Sequence, residues 1–456
     1  MTSTLSPTDL TRPPVHPDPA SPTQRPGRWL DGYDPEDAAQ WQTVGRRIAR
    51  RNLACSIFAE FLGFSVWALW SIVVPQLNRV GFALTLDQQF WLVSAPSLVG
   101  ATLRIPYTFA VPRFGGRNWT IVSALLLLVP TTALAWAVDH PGLPFGALLA
   151  ISLLAGVGGG NFASSMANIS FFYPAREKGR ALGLNAAGGN VGTAAVQLAV
   201  PIVITLGAGI SLDRAGLMIV PLALLAALLA WRFMNNLSHA RSDPRAYAAA
   251  VRHPHTWLLS FLYIGTFGSF IGYSGAFPTL LKNQFPHMTL SLAFLGALVG
   301  SLSRPSGGTL ADRLGGARVT VIAFAAMALG AVGAIYGLRL HSFVLFFGAF
   351  LWLFVFSGIG NGSVYRMIPA IFSATSGEDA GSRTAASRAA AGCLGIAGAV
   401  GAFGGFLIPR GFALSTRLTG NLQAALWCFI AIYLVMLATT WAMYLRPGSA
   451  ASAHRI

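Results

Sequence analysis

Apolar runs of about 20 residues or more, the length that crosses the hydrocarbon core of a bilayer, recur twelve times along this chain. They lie near 53–77, 88–111, 118–138, 145–172, 181–207, 213–235, 255–281, 289–311, 318–338, 343–372, 389–413 and 420–445. The pattern predicts twelve membrane-spanning helices, of which the fourth and tenth are long enough to tilt or to emerge from the bilayer. The one long polar interior connection, 236–254, splits them into two sets of six, 51–235 and 255–446. A polar N-terminal tail (1–50) precedes them and a short tail (447–456) follows. Residues 1–40 are Pro-rich and carry no apolar leader-like core, so they are expected to be mostly disordered.

Composition agrees with the pattern. The chain is 54% hydrophobic and 10% charged, with a mean hydropathy of +0.59, where a soluble protein carries about a quarter charged residues. The net charge of +16 would suit nucleic acid, but location decides otherwise. Of the 31 Lys and Arg, 22 fall in segments on the side of the N-terminus, six fall opposite, and Arg104, Arg304 and Arg366 lie inside apolar runs. By the positive-inside rule both termini are cytoplasmic. The expectation is a multi-pass protein of the cell inner membrane whose partner is the lipid bilayer, with no nucleic acid, working as a monomer. Cys55, Cys393 and Cys428 have no paired spacing, and all eight His lie in loops, tails or helix ends. No metal site, no cofactor and no catalytic residue is indicated, so the chain reads as no enzyme.

The two halves repeat at an offset of 200 residues. "LRIPYTFAVPRFGGRNWT" (103–120) lies over "SRPSGGTLADRLGGARVT" (303–320), which pairs Arg104 with Arg304, Arg113 with Arg313, and Gly115 and Gly116 with Gly315 and Gly316. Gly158, Gly160 and Asn161 of "GVGGGNFASSMANISFFYP" lie over Gly358, Gly360 and Asn361 of "GIGNGSVYRMIP". Two like-oriented six-helix halves related by a pseudo-two-fold axis along the membrane normal are the architecture of the major facilitator superfamily, with substrate sites at the repeat interface near the midplane. The fold class expected is therefore all-α, a twelve-helix integral membrane protein of that superfamily.

Arg104 lies about 24 Å along its helix at 1.5 Å per residue, near mid-membrane, and Arg304 must sit at matching depth. Each buried Arg costs about 2.5–3.5 kcal/mol on insertion scales. One reading is a pair of buried ion pairs. Among the 15 Asp and Glu, however, only Glu60 falls within an apolar run, near the inner end of the first helix. The other reading is an anion supplied from outside. The guanidinium is a planar, donor-only fork suited to oxyanions, and the polar neighbours are mainly Asn, Ser, Thr and Tyr. That donor balance suits a small, fully ionised oxyanion better than a hydrogen phosphate, which must donate a hydrogen bond.

Asn161, Ser165, Asn168 and Phe172 fall on one face of the fourth helix, and its glycines permit close approach, either for static packing or for a pore-facing helix that rocks. Helices 5 and 11 are similarly glycine-rich. The segments "GGGNFASSMANISFFYP" and "GIGNGSVYRMIP", with "LRIPYTFAVPRFGGR", "LYIGTFGSFIGYS" and "LADRLGGARVT", resemble the signature segments of the nitrate/nitrite porter family within the major facilitator superfamily, and the likeness covers nearly the whole chain.

That resemblance implies a single midplane site for nitrate and nitrite. Arg104 and Arg304 would grip the anion, Phe162 and Phe267 would stack on its faces, and Tyr263 and Asn190 would add polar contacts. Asn161, Asn168 and Asn361, with Gly158, Gly160, Gly358 and Gly360, would support the signature helices. Arg366 is expected to act at the inner end as a gate or headgroup contact. The mode implied is antiport of nitrate for nitrite. A nitrate/proton symporter, with Glu60 as the possible proton site, and a passive anion channel are the alternatives.

Overall fold

The computed structural model describes residues 21–207, 209–240, 244–374 and 379–447. Among them twelve long helices run back and forth: α1 (Arg46–Leu77), α2 (Leu86–Phe114), α3 (Gly116–Val138), α4 (Phe145–Phe172), α5 (Ala175–Val203), α6 (Asp213–Phe233), α7 (254–284), α8 (Phe294–Leu314), α9 (Gly316–Arg339), α10 (Phe343–Ala374), α11 (Gly381–Thr419) and α12 (Gln423–Leu445). Nine of these are apolar and long enough to cross a membrane by composition alone. The other three, α2, α7 and α8, are the helices that carry Arg104, Tyr263, Phe267 and Arg304. The protein is a multi-pass membrane protein, and the polar load of those three helices is the first sign of what they line.

The repeat is present in the backbone as well as in the letters. α2 and α8 each end on a left-handed glycine, Gly115 (φ +88°) and Gly315 (φ +92°), a conformation that costs other residues steric strain. Each glycine leads directly into the next helix. Both sets of six helices then wrap around one shared interior in which α1, α2, α4 and α5 of the first half face α7, α8, α10 and α11 of the second.

Several helices depart from regular geometry where they approach that interior. In α4 the Gly158 and Gly159 amides bond three residues back, to Ala155 (3.2 Å) and Gly156 (3.0 Å), so the helix tightens at its glycines. In α7 a π-helical turn covers Ile264–Gly268. π-bulges recur at functional sites because they re-aim side chains, and this one carries Phe267. α11 breaks at Phe403, beside the place where a Cβ on Gly268 would come within 2.7 Å of the Gly401 carbonyl oxygen.

The expectation of a disordered segment over 1–40 is corrected for residues 21–40; residues 1–20 lie outside the described residues. β1 (Thr23–Arg25) pairs antiparallel with β2 (Trp29–Asp31), which pairs parallel with β3 (Asn236–Leu237) just after α6. The physical reason is that this strap satisfies helix ends. Helix termini leave unpaired backbone groups, and Arg28 donates to Met234 O (2.8 Å), Tyr33 Oη to Phe172 O at the end of α4 (2.8 Å), while Glu36 accepts from Ala175 N at the start of α5 (2.7 Å). Leu30, Tyr33 and Trp41 are buried.

Arg117, on the opposite side of the same seam, donates twice to Trp231 O (3.0 and 2.8 Å) and once to Gly27 O (3.3 Å). Charge-assisted hydrogen bonds of this kind contribute about 1.5–3 kcal/mol. Arg117→Met is therefore expected to lower the thermal midpoint of the detergent-purified protein by several degrees while leaving anion affinity unchanged. An unaltered midpoint would show that the strap does not hold the first half together.

Candidate functional site

At the centre of the interface, α2 and α8 present Arg104 and Arg304, which are 1% and 6% exposed. Among the described residues neither guanidinium has a carboxylate within 4.0 Å. The Arg104 Nη1 donates to Gly398 O of α11 (2.7 Å) and its Nε to Gly159 O of α4 (3.3 Å). Nη2 of Arg104 and Nη1 of Arg304 are buried donors with no partner. The Arg304 Nη2 reaches the Tyr263 hydroxyl at 3.5 Å.

Aromatic rings wall the two cations. The Phe162 ring centroid lies 4.5 Å from Arg104 Cζ and 5.9 Å from Arg304 Cζ, so the two guanidinium carbons are within about 10 Å of each other. Phe267 sits 4.9 Å from Arg104 and stacks near-parallel to Phe162, with centroids 6.3 Å apart at 27°. Tyr263 stacks on Phe267 at 5.3 Å. Two like charges no more than about 10 Å apart repel by roughly 2 kcal/mol or more at an effective dielectric of about 20, and ring faces offset part of that through cation–π attraction.

Arg104, Arg304, Phe162, Phe267 and Tyr263 are thus brought together. Asn190 is 1% exposed with both amide atoms unpartnered. The asparagine stripe of α4 does not face the arginines as one unit. Asn161 lies against Gly63 of α1, Asn168 occupies the space beside Gly116 at the start of α3, and Phe172 meets Tyr33 of the strap. Asn361 is buried with Oδ1 unpartnered. The four signature glycines sit at close crossings: a Cβ on Gly158 would overlap Gly63 O, on Gly358 the Gly300 carbonyl, on Gly160 would lie 2.9 Å from Tyr107, and on Gly360 2.6 Å from Thr266. Arg366 is largely exposed at the end of α10 and pairs with Asp312 of α8.

Glu60 turns inward from α1 into the bundle. It is 0% exposed, with Oε2 accepting from Asn185 Nδ2 (2.7 Å). The interior sum of two unopposed positive charges is therefore too simple, because this carboxyl shares the core.

Contacts cross between the halves on either side of the site. On the face away from the termini, Arg410 of α11 pairs with Asp87 of α2 (3.1 Å) and lies 4.0 Å over Trp91, and Gln197 of α5 donates to Ser274 O of α7 (2.7 Å). On the other face, Tyr247 of the short helix Pro244–Arg252 lies against Phe109 of α2, ring centroids 5.1 Å apart. The two buried arginines and their aromatic walls thus lie between two pseudo-symmetric halves, with contacts that cross the halves on either side of them.

Comparison with known proteins agrees. The model of the Major Facilitator Superfamily matches residues 53–402, and the nitrate/nitrite transporter NarU of Salmonella typhimurium is 41% identical, over 91% of this chain and 96% of its own length. The chain belongs to the nitrate/nitrite porter family of the Major Facilitator Superfamily. A further member, the probable nitrate/nitrite antiporter NarK2 of Thermus thermophilus, is 36% identical over 93% of this chain and 98% of its own. Among solved structures, the D-xylose-proton symporter superposes with a TM-score of 0.66 at 15% identity, covering 86% of this chain and 97% of that one. At that identity the likeness carries the fold alone. As a porter, the protein is a transporter and not an enzyme.

The site of this porter contains residues that the sequence reading missed. Trp67 of α1 lies 5.4 Å from Arg104 and donates its indole N–H to Pro96 O (2.9 Å). Its signal was available, since Trp67 is the 200-offset mate of Phe267. Tyr365 lies 5.5 Å from Arg304; its mate is Ser165, so symmetry gives no hint of it. The carbonyls of Gly159 and Gly398 had no signal in side-chain chemistry.

Proposed function

We propose that this porter imports nitrate in exchange for nitrite across the cell inner membrane, with its termini cytoplasmic, by alternating access around one anion held between Arg104 and Arg304. The observation that carries this reading is the pair of unpartnered buried N–H donors, Arg104 Nη2 and Arg304 Nη1. A buried unsatisfied donor costs about 1–3 kcal/mol, more when charged, and a planar monoanion offers acceptors to both at once. Phe162 and Phe267 form flat walls for its faces, and Tyr263 adds a hydroxyl. The relatives' names, nitrate/nitrite transporter and probable nitrate/nitrite antiporter, support the substrate class.

Exchange follows from electrostatics. The anion relieves repulsion between the two guanidiniums, so the loaded site closes and crosses more readily than the empty one. Moving nitrate alone inward costs about 2.3 kcal/mol per 100 mV, and one-for-one exchange with nitrite removes that cost.

In reconstituted vesicles, nitrate uptake is expected to require nitrite or nitrate inside, and to saturate with substrate. Uptake of equal rate into anion-free vesicles would contradict exchange. One observation, the burial of Glu60, favours nitrate/proton symport as a second reading; uptake into anion-free vesicles driven by a pH gradient alone would establish it instead.

A further inference from the structure

Glu60 is the one carboxyl among the described residues that is fully buried in the helix bundle, and the exchange cycle above gives it no task. Its surroundings are built around it. Gly189 of α5 leaves the room: a Cβ there would come within 2.7 Å of Glu60 Cγ and 2.8 Å of its carboxyl carbon. Asn185, one turn earlier on α5, donates to Oε2 (2.7 Å) and to Ser165 Oγ (2.6 Å), and Ser165 in turn meets Ser56 of α1 (2.8 Å). Glu60 also stands one turn before Phe64, whose ring meets Phe162 at 6.1 Å, the ring that lies between the two arginines.

Two atoms of this pair have no partner, Glu60 Oε1 and Asn185 Oδ1. Both are acceptors. No rotation of side chains lets two acceptors satisfy each other, whereas one added proton does: a neutral carboxylic acid donates O–H to the amide oxygen while the amide N–H donates back. Half of that two-point acid–amide pair is already formed.

The charged and titratable groups of the surrounding core are Arg104 of α2, Arg304 of α8, Tyr365 of α10 and Tyr263 of α7. α4 and α5 face Glu60 with Ser165, Asn185 and Gly189, which do not titrate. Arginine stays protonated and tyrosine neutral at ordinary pH, so Glu60 is the group in the core whose charge can change.

We propose that Glu60 is a proton-binding site linked to the anion site, so that nitrate and one proton bind together and leave together. The inference rests on the anion site proposed above. When the anion enters, its charge disfavours the neighbouring carboxylate, a proton from water forms the O–H bond at Oε1, and the core keeps its net charge; on release the proton returns to water. Because both nitrate and nitrite are monoanions, the proton rides on both legs of an exchange. By reciprocity, a proton that follows the anion must also tighten anion binding.

Titration calorimetry of nitrate into the purified full chain, in buffers of different ionisation enthalpy between about pH 5 and 8, tests this. Wild type is expected to take up as much as one proton per nitrate, and its affinity to weaken as pH rises by up to about tenfold per pH unit. Glu60→Gln, which carries an N–H in place of the acid O–H, is expected to bind nitrate at every pH as wild type does at low pH, with no proton uptake; Glu60→Asp is expected to restore the dependence. Nitrate binding by wild type without proton uptake, or uptake undiminished in Glu60→Gln, overturns the proposal, and the wild-type measurement decides alone if the variants fail to fold. Absence of nitrate binding by wild type at any pH removes the anion site itself, which is a different failure.

Discussion

Replacing either Arg104 or Arg304 with lysine is expected to reduce nitrate/nitrite exchange in reconstituted vesicles by about ten- to a hundredfold, with protein yield close to wild type. Lysine keeps the charge, so the effect isolates geometry. A guanidinium presents a rigid fork to an oxyanion, while an ammonium is a point charge on a flexible stem. The loss of one charge-assisted bond is worth about 1.5–3 kcal/mol, and each 1.4 kcal/mol is a factor of ten. The two variants should differ in one respect. Arg104 also donates across the interface to Gly398 O (2.7 Å) and, within its own half, to Gly159 O (3.3 Å), so Arg104→Lys should also loosen the closed state, whereas Arg304, which donates to the Tyr263 hydroxyl (3.5 Å), should lose affinity alone. Initial rates of labelled nitrate uptake against internal nitrite check both; full activity in either variant contradicts the assignment.

A second large effect is expected at a position that carries no charge. α1 and α4 cross backbone to backbone at Gly63 and Gly158: a Cβ on Gly158 would overlap Gly63 O, and a Cβ on Gly63 would lie 2.8 Å from Gly158 O. Neither obstacle is a flexible side chain that could swing aside. Overpacking costs about 1–3 kcal/mol, and relief here requires that α4 move away. Phe162 stands one turn beyond Gly158, so the same movement withdraws its ring from Arg104. Gly158→Val is therefore expected to lower both the thermal midpoint and the exchange rate, at least tenfold for the latter, which is about 1.4 kcal/mol. Gly183→Ala on α5, where an added Cβ meets nothing within 4 Å, is the control and should be near neutral. Equal effects of the two substitutions on midpoint and rate would show that helix glycines act here through propensity and not through the crossing.

Why some of this was legible in the sequence and some was not has physical causes. The 200-residue repeat located Arg104 and Arg304 because pseudo-symmetric halves place mates at equal depth, and the structure repeats the correspondence in the turns at Gly115 and Gly315. The same offset applied one helix earlier leads from Phe267 to Trp67. Tyr365 stood inside a signature segment but broke the symmetry, so its role became visible only when α10 was placed beside Arg304. Glu60 was placed by its position in an apolar run, which gives depth and not neighbours; that its carboxyl turns inward to Asn185 became visible only when α1 was packed on α5.

The strap over residues 21–40 was missed for the converse reason. Its local composition is that of a disordered segment, and what orders it is a set of bonds to helix ends up to 206 residues away. The stripe of Asn161, Ser165 and Asn168 was correctly one face of α4, and periodicity could not say which neighbour each turn of that face would meet.

The central claim is that a single anion, nitrate or nitrite, is held between the two arginines. Calorimetric titration of nitrate into the purified protein, followed by nitrite into the nitrate-saturated sample, tests it most directly. The account predicts one nitrate bound per chain, full displacement by nitrite from the same site, and about ten- to hundredfold weaker binding of both anions in Arg304→Lys. Unchanged nitrate affinity in Arg304→Lys and Arg104→Lys alike, or nitrite bound at a second site without displacing nitrate, would contradict it.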